Sequence, residues 1–165
     1  CAINLSGASL SDAHILDFVH QQLAATGVRP QQVCFEITET AAVANLQNAT
    51  YFMQELRARG CRFSLDDFGS GLSSFRYLKT LPVDFLKIDG EFIANVAQDT
   101  VDRSMVEAIS QVGRTLGIAT VAERVETAEV LVELEKIGID FAQGFYLSRP
   151  LPIAEIGAAL VAPAQ

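Results

Sequence analysis

The sequence predicts an α/β fold whose strands run parallel and curve as a barrel, with about six of the eight strand–helix units of a full barrel present. Three observations predict it. Short apolar runs alternate with longer helical patterns along the whole of the 165 residues. Within each run, large apolar residues take one face and small or polar ones the other. Polar and charged side chains then collect at the C-terminal end of nearly every run. A doubly wound open sheet, the competing architecture, would concentrate its ligand residues at one or two switch-point loops. Their spread over many strand ends favours a TIM-type (β/α) barrel.

The elements follow in order. Strands are expected at Ala2–Ser6, Val33–Thr38, Arg62–Asp67, Val83–Asp89, Ile118–Glu123 and Asp140–Gly144. In the second, Val33, Phe35 and Ile37 share one face, opposite Cys34, Glu36 and Thr38. Phe63 and Leu65 oppose Ser64 and Asp66; Leu86 and Ile88 oppose Lys87 and Asp89; Ile3 and Leu5 oppose Asn4 and Ser6. The apolar faces are expected to meet surrounding helices, leaving the polar faces inside. Helices are expected at Asp12–Ala25, Leu46–Arg59, Ser73–Leu78, Val101–Leu116 and Ala128–Ile137, with a last one near Ile153–Leu160. Leu16, Val19 and Leu23 form one stripe at helical spacing, and Phe52 with Leu56 another. Gly27, Gly60, Gly117 and Gly138 follow helices closely, where a left-handed cap is usual. Two further strands are expected to precede Cys1, so the barrel reads as incomplete.

Half of the residues are apolar, enough for a real core, and the formal charge is −8. That charge speaks against binding a nucleic-acid polymer through a basic surface. No apolar stretch reaches the ~18–20 residues that span a bilayer, so no membrane contact is expected from this segment. Cys1, Cys34 and Cys61 form no Cys-x-x-Cys pair and read as reduced thiols, consistent with a cytoplasmic location. His14 and His20 do not share a helix face and read as surface residues. Phe75, Phe85, Phe92 and Phe141 read as core, and Glu129, Glu133, Glu135 and Lys136 as a solvated helix face.

The chemistry lies in the inward, strand-end residues: Asn4, Glu36, Asp66 with Asp67, Lys87, Glu123 and Gln143. Carboxylates brought to one barrel mouth repel or protonate unless cations separate them. An all-oxygen set with one amide suits Mg²⁺ or Mn²⁺ and not zinc. Asp66 and Asp67 could serve two metals, an arrangement that stabilises in-line displacement at phosphorus. Lys87 could hold the attacking water or neutralise phosphoryl oxygens. Taken alone, the Asp pair would read as a solvated loop or a helix cap; its company at matching strand ends argues otherwise.

The motifs Asn4-Leu5-Ser6, Glu36-Ile37-Thr38-Glu39, Asp66-Asp67-Phe68-Gly69-Ser70-Gly71, Lys87-Ile88-Asp89-Gly90, Ala122-Glu123-Arg124-Val125-Glu126 and Gln143-Gly144-Phe145-Tyr146 with Arg149-Pro150 occur in one order. Order and spacing resemble the EAL family of cyclic di-GMP phosphodiesterases, over nearly the whole chain. The Asp-Phe-Gly of protein kinases is also present, but their catalytic loop and lysine motif are not. The resemblance implies one truncated EAL domain over residues 1–165 that uses Mg²⁺ or Mn²⁺ to hydrolyse cyclic di-GMP to linear pGpG. It implies that Asn4, Glu36 and Asp66 bind one metal and that Asp66 and Asp67 bind a second. Lys87 would position the nucleophilic water, and Glu123, Gln143 and Asp67 would support the reaction. Gly69, Ser70, Gly71, Arg149 and Pro150 would border the nucleotide, and Glu39 would steady the loop after the Asp pair. A homodimer, and an upstream sensor or GGDEF-type domain in the parent protein, are also implied.

Two departures from the family pattern matter. The Glu-Ala-Leu segment, which carries another metal-ligand glutamate, is expected upstream of Cys1. Every motif present keeps its functional side chain, so the parent is expected to be active, while this segment alone, lacking that glutamate, is expected to be inactive. Arg124 stands where the family usually has Gly. It could distort its loop or add a phosphate contact, and it lends weight to the alternative of a catalytically inactive cyclic di-GMP receptor or scaffold.

Overall fold

A computed structural model describes residues 1–12, 14–69, 75–152 and 155. Its strands are β1 (Ala2–Leu5), β2 (Cys34–Thr38), β3 (Arg62–Phe68), β4 (Phe85–Ile88), β5 (Ala119–Ala122) and β6 (Phe141–Ala142). They form a single sheet in the order β1-β2-β3-β4-β5-β6, every neighbouring pair parallel. This is the topology of a barrel wall, since each unit adds its strand beside the previous one. The sheet is open between β1 and β6.

Between the strands run α1 (Gly7–Ser11), α2 (Ile15–Thr26), α3 (Glu39–Ala44), α4 (Leu46–Arg57), α5 (Gly90–Asn95), α6 (Thr100–Leu116) and α7 (Ala128–Ile137). The four longer helices carry the expected apolar stripes. Gly27, Gly117 and Gly138 close α2, α6 and α7 in the left-handed conformation. The three short helices were not expected. Each begins directly behind a strand, with the last polar residue of the expected strand acting as its cap. Ser6 accepts from the Ser9 amide, Thr38 from Ala41 and Asp89 from Glu91. Helices of five or six residues are too short to show a hydrophobic period, and their caps are their only sequence signal.

The core lies between the outer face of the sheet and the helices. Phe35, Ile37, Phe63, Leu65, Leu86 and Ile88 are all buried there. They meet Phe52, Met53 and Leu56 of α4, Val106 and Ile109 of α6, and Leu134 of α7 in the same cluster. Phe35, Phe52 and Phe63 pack with ring centroids 5.6–6.2 Å apart. The inner face instead carries Ser64 and Lys87, both buried and polar.

Several expectations are corrected. Ile3 is 42% exposed; it lines an open apolar hollow of about 400 Å³ with Leu5, Ile15, Phe18, Leu23 and Phe35 instead of meeting a helix squarely. Phe75 and Phe141 are exposed rather than core, although they touch Phe68 and Phe85 edge-on or tilted. His20 is half-buried, with Nε2 shielded and unpartnered. Glu133 is no solvated residue: it joins Arg103 of α6 at 3.2 Å and Lys136 at 2.9 Å, tying α6 to α7. The described part of Ser73–Leu78 ends in a 3-10 turn at Tyr77–Lys79 rather than an α-helix. Apart from Glu155, the helix expected at Ile153–Leu160 falls outside the described residues.

Candidate active site

Three strand ends converge on one ammonium group. Lys87 points from the inner face of β4 and is 5% exposed. Its Nζ lies 2.7 Å from Glu123 Oε1, 2.9 Å from Asp66 Oδ1 and 3.3 Å from Glu36 Oε2. Burial alone would lower the lysine pKa; hydrogen bonds and charge from Glu123 and Asp66 outweigh it and raise the pKa. Lys87 is therefore a fixed positive charge at neutral pH. The same burial raises Glu123, with Lys87 opposing and Asp66 and Asp67 reinforcing the rise.

The Asp pair owes its geometry to a defect in β3. Leu65 pairs with Leu86, but the next matched pair is Phe68 with Ile88, so β3 holds one residue more than β4 across this interval. That is a β-bulge, the device that re-aims a side chain beside an active site. Asp67 within it takes φ 53°, a left-handed conformation uncommon for any residue but glycine. Successive side chains of a regular strand point to opposite faces; here Asp66, Asp67 and Glu123 bring carboxylate oxygens within 4.8 Å of one another. Burial, then Asp66 and Asp89, raise the Asp67 pKa while Lys87 lowers it.

This all-oxygen donor set suits a hard divalent cation. Glu36 falls outside the 4.8 Å group and joins through Lys87. Asn4 lies directly beside Glu36 in the β1–β2 register, exposed at the open edge. Gln143 follows β6, exposed; its backbone accepts from Val125 and donates to Ala122. The structure thus brings Glu36, Asp66, Asp67, Lys87 and Glu123 together and leaves Asn4 and Gln143 at the rim.

Glu39, the first residue of α3, is buried. Its Oε2 accepts the Gly69 amide at 3.1 Å and its Oε1 accepts the Tyr77 hydroxyl. The carboxylate so ties the start of the loop after Asp67 to the turn that follows it. Gly69 has φ 104°, and a Cβ there would lie 2.7 Å from Phe92 Cε2. Ser70 and Gly71 fall outside the described residues. Arg149 and Pro150 are exposed, and the Arg149 guanidinium stacks 5.4 Å from the Phe145 ring centroid.

Sequence reasoning missed four residues here. Tyr77 clamps Glu39, and Phe92 backs Gly69. Ser64, small and buried on the inner face two residues before Asp66, has a hydroxyl without a protein partner. Gly90 lies beneath the side chain of Arg124. Gly90 carried a signal in its place in a motif and Ser64 in the inward face it shares with Asp66; the roles of Tyr77 and Phe92 are fixed by contacts distant in sequence.

A parallel barrel wall with carboxylates and one buried lysine at its strand ends defines a barrel-type protein with an acidic, cation-competent mouth. The chain belongs to the EAL domain family, whose model matches residues 1–150. It is 45% identical over 153 residues to the cyclic di-GMP phosphodiesterase PdeB of Shewanella oneidensis, covering 93% of this chain and 18% of that protein. The PaMucR phosphodiesterase in its c-di-GMP complex superposes with a TM-score of 0.89 at 39% identity, over 94% of this chain and 63% of that one. Klebsiella pneumoniae BlrP1, in a complex with calcium and cyclic di-GMP, gives 0.84 at 34% identity, over 90% and 38%. The chain spans about a fifth of the length of the curated relatives it matches. No helix among the described residues is long and apolar enough to cross a membrane.

Proposed function

We propose that this chain supplies the catalytic mouth of a metal-dependent phosphodiesterase that converts cyclic di-GMP to linear pGpG. The observation that carries the reading is the Lys87 ammonium held among Glu36, Asp66 and Glu123 beside the Asp66-Asp67 bulge. Four carboxylates against one ammonium leave a formal charge of −3, which a dianionic ligand would avoid unless cations intervene. Asn4, Glu36 and Asp66 would hold one Mg²⁺ or Mn²⁺, and Asp66 with Asp67 a second. Bound there, the cations would lower the pKa of water and offset charge on the phosphoryl oxygens.

Lys87, locked in its charged form, orients the attacking water and faces the oxygens on which negative charge grows. Water adds to phosphorus and the ester bond to one ribose 3′ oxygen breaks, leaving a 5′-phosphate. Glu123 and Gln143 flank the water, and Glu39 keeps the loop from Asp67 through Gly69 in place. Ser70, Gly71, Arg149 and Pro150 border the nucleotide. The free cysteines support a reducing, cytoplasmic setting. A homodimer and an upstream sensor domain complete the reading, and a GGDEF-type partner domain is supported by the name of one relative, the bifunctional diguanylate cyclase and phosphodiesterase MucR of Pseudomonas aeruginosa.

The second reading is a receptor that binds cyclic di-GMP without hydrolysing it. Arg124, non-glycine at φ 54° directly after Glu123, favours it because backbone strain there bears on the catalytic carboxylate. Incubation of the parent protein with cyclic di-GMP and Mn²⁺, alongside binding in Ca²⁺, separates the two. Formation of pGpG supports the enzyme; binding without pGpG supports the receptor; neither outcome discards both.

A further inference from the structure

Arg124 has an unusual setting. Its backbone is left-handed, at φ 54°, a strain of order 1–3 kcal/mol for a side chain with a Cβ. It is exposed, and among the described residues it makes no ion pair or hydrogen bond. Its stem is nevertheless placed. A Cβ on Gly90 would lie 2.1 Å from Arg124 Cδ and 2.7 Å from Cγ. The arginine stem thus fills the space that a side chain at position 90 would need, and Gly90 in turn determines where the guanidinium can lie. Between them opens a hollow of about 440 Å³ lined by Gly90, Glu91, Ala94, Asn95, Arg124 and Glu126, within the roughly 300–1,000 Å³ usual for small-molecule sites.

The lining has two chemistries held apart. Arg124 offers only donors, while Glu91 and Glu126 offer only acceptors. Although all three line one hollow, Arg124 stands more than 4.0 Å from both carboxylates, since neither pairs with it. A bare phosphate would meet one cation and two anions there. A guanine meets each group with its complement: O6 and N7 accept from a guanidinium, and N1–H with the 2-amino group donates to a carboxylate. Adenine offers a donor where guanine has O6, and so opposes the arginine.

We propose that Arg124, seated on Gly90, reads the O6/N7 edge of a guanine base held in this hollow and so sets base specificity. The inference rests on the cyclic di-GMP reading above and adds to it a specificity-determining residue. The test measures binding of cyclic di-GMP to the full chain in Ca²⁺ by calorimetry, with cyclic di-AMP as competitor. Wild type is compared with Arg124→Gly, Gly90→Ser and the double variant. Glycine accommodates the left-handed backbone, so Arg124→Gly removes the guanidinium without adding strain.

Arg124→Gly is expected to weaken cyclic di-GMP binding at least about fivefold and not to weaken cyclic di-AMP binding. Gly90→Ser is expected to produce a like loss by displacing the arginine stem, and no further loss in the Arg124→Gly background. An unchanged base preference in Arg124→Gly overturns the proposal, as does an equal loss for both dinucleotides. A wild-type chain that binds cyclic di-GMP but ignores Arg124 overturns this inference alone. One that binds neither dinucleotide overturns it together with the phosphodiesterase reading.

Discussion

At the scale of single residues, burial decides which groups are available for chemistry. Lys87 and Glu39 are buried charges with partners, and losing one partner of such a group is costly. In the parent protein, Asp66→Asn is expected to lower the Mn²⁺-dependent turnover of cyclic di-GMP by at least about a hundredfold, as the loss of a primary charge from a two-cation site would do; near-normal turnover would remove Asp66 from the cation site. Tyr77→Phe removes a hydroxyl that donates to a buried carboxylate, a loss of roughly 1–3 kcal/mol that urea denaturation would register. Cys34 gives a pH prediction. Burial, then Glu36 and Asp84, push its thiol from the ordinary 9.0 to about 11. The folded state therefore favours the neutral thiol. This contribution is complete below about pH 9 and is lost as pH rises from there through about 11. Denaturation midpoints taken at pH 8 and 10.5 should fall further for the wild type than for Cys34→Ala, and equal falls would refute the assignment.

At the scale of elements, the bottom of the sheet uses one device twice. Asp84, just before β4, accepts the Phe63 amide of the preceding strand at 2.8 Å and pairs with Arg57 at 3.0 Å. Asp140, just before β6, accepts the Thr120 amide at 2.7 Å and the Thr120 hydroxyl at 2.8 Å. Each carboxylate satisfies a strand amide in the preceding strand, so these acids serve strand registration while those at the opposite ends gather for chemistry. Asp140→Ala is expected to cost about 1–3 kcal/mol, read by urea denaturation, with the affinity for cyclic di-GMP in Ca²⁺ nearly unchanged. A large loss of affinity with intact stability would place Asp140 in the site instead. The same scale explains the missed helices α1, α3 and α5. Ser6, Thr38 and Asp89 were read as strand ends, and a cap is the residue where extended backbone hands over to helix.

For the whole molecule, the acidic mouth is expected to make stability depend on cations. Millimolar Mn²⁺ should raise the melting temperature and EDTA reverse it, because a ligand held only by the folded state stabilises it by mass action; an unmoved melting temperature would count against a folded cation site. What the sequence by itself determined was the parallel βα order, the four long helices, the outer apolar faces and the strand-end positions of Glu36, Asp66, Asp67, Lys87 and Glu123. Those follow from local periodicity and from which side chains end each strand, and periodicity is a property of neighbours in the chain. The tertiary structure alone decided that three strands place carboxylates around one lysine, that a bulge turns Asp67 toward Asp66, that Tyr77 holds Glu39, and that Arg124 rests on Gly90. Each of these joins residues that are far apart in sequence, or a backbone angle that depends on the neighbouring strand, and local pattern holds no record of such contacts.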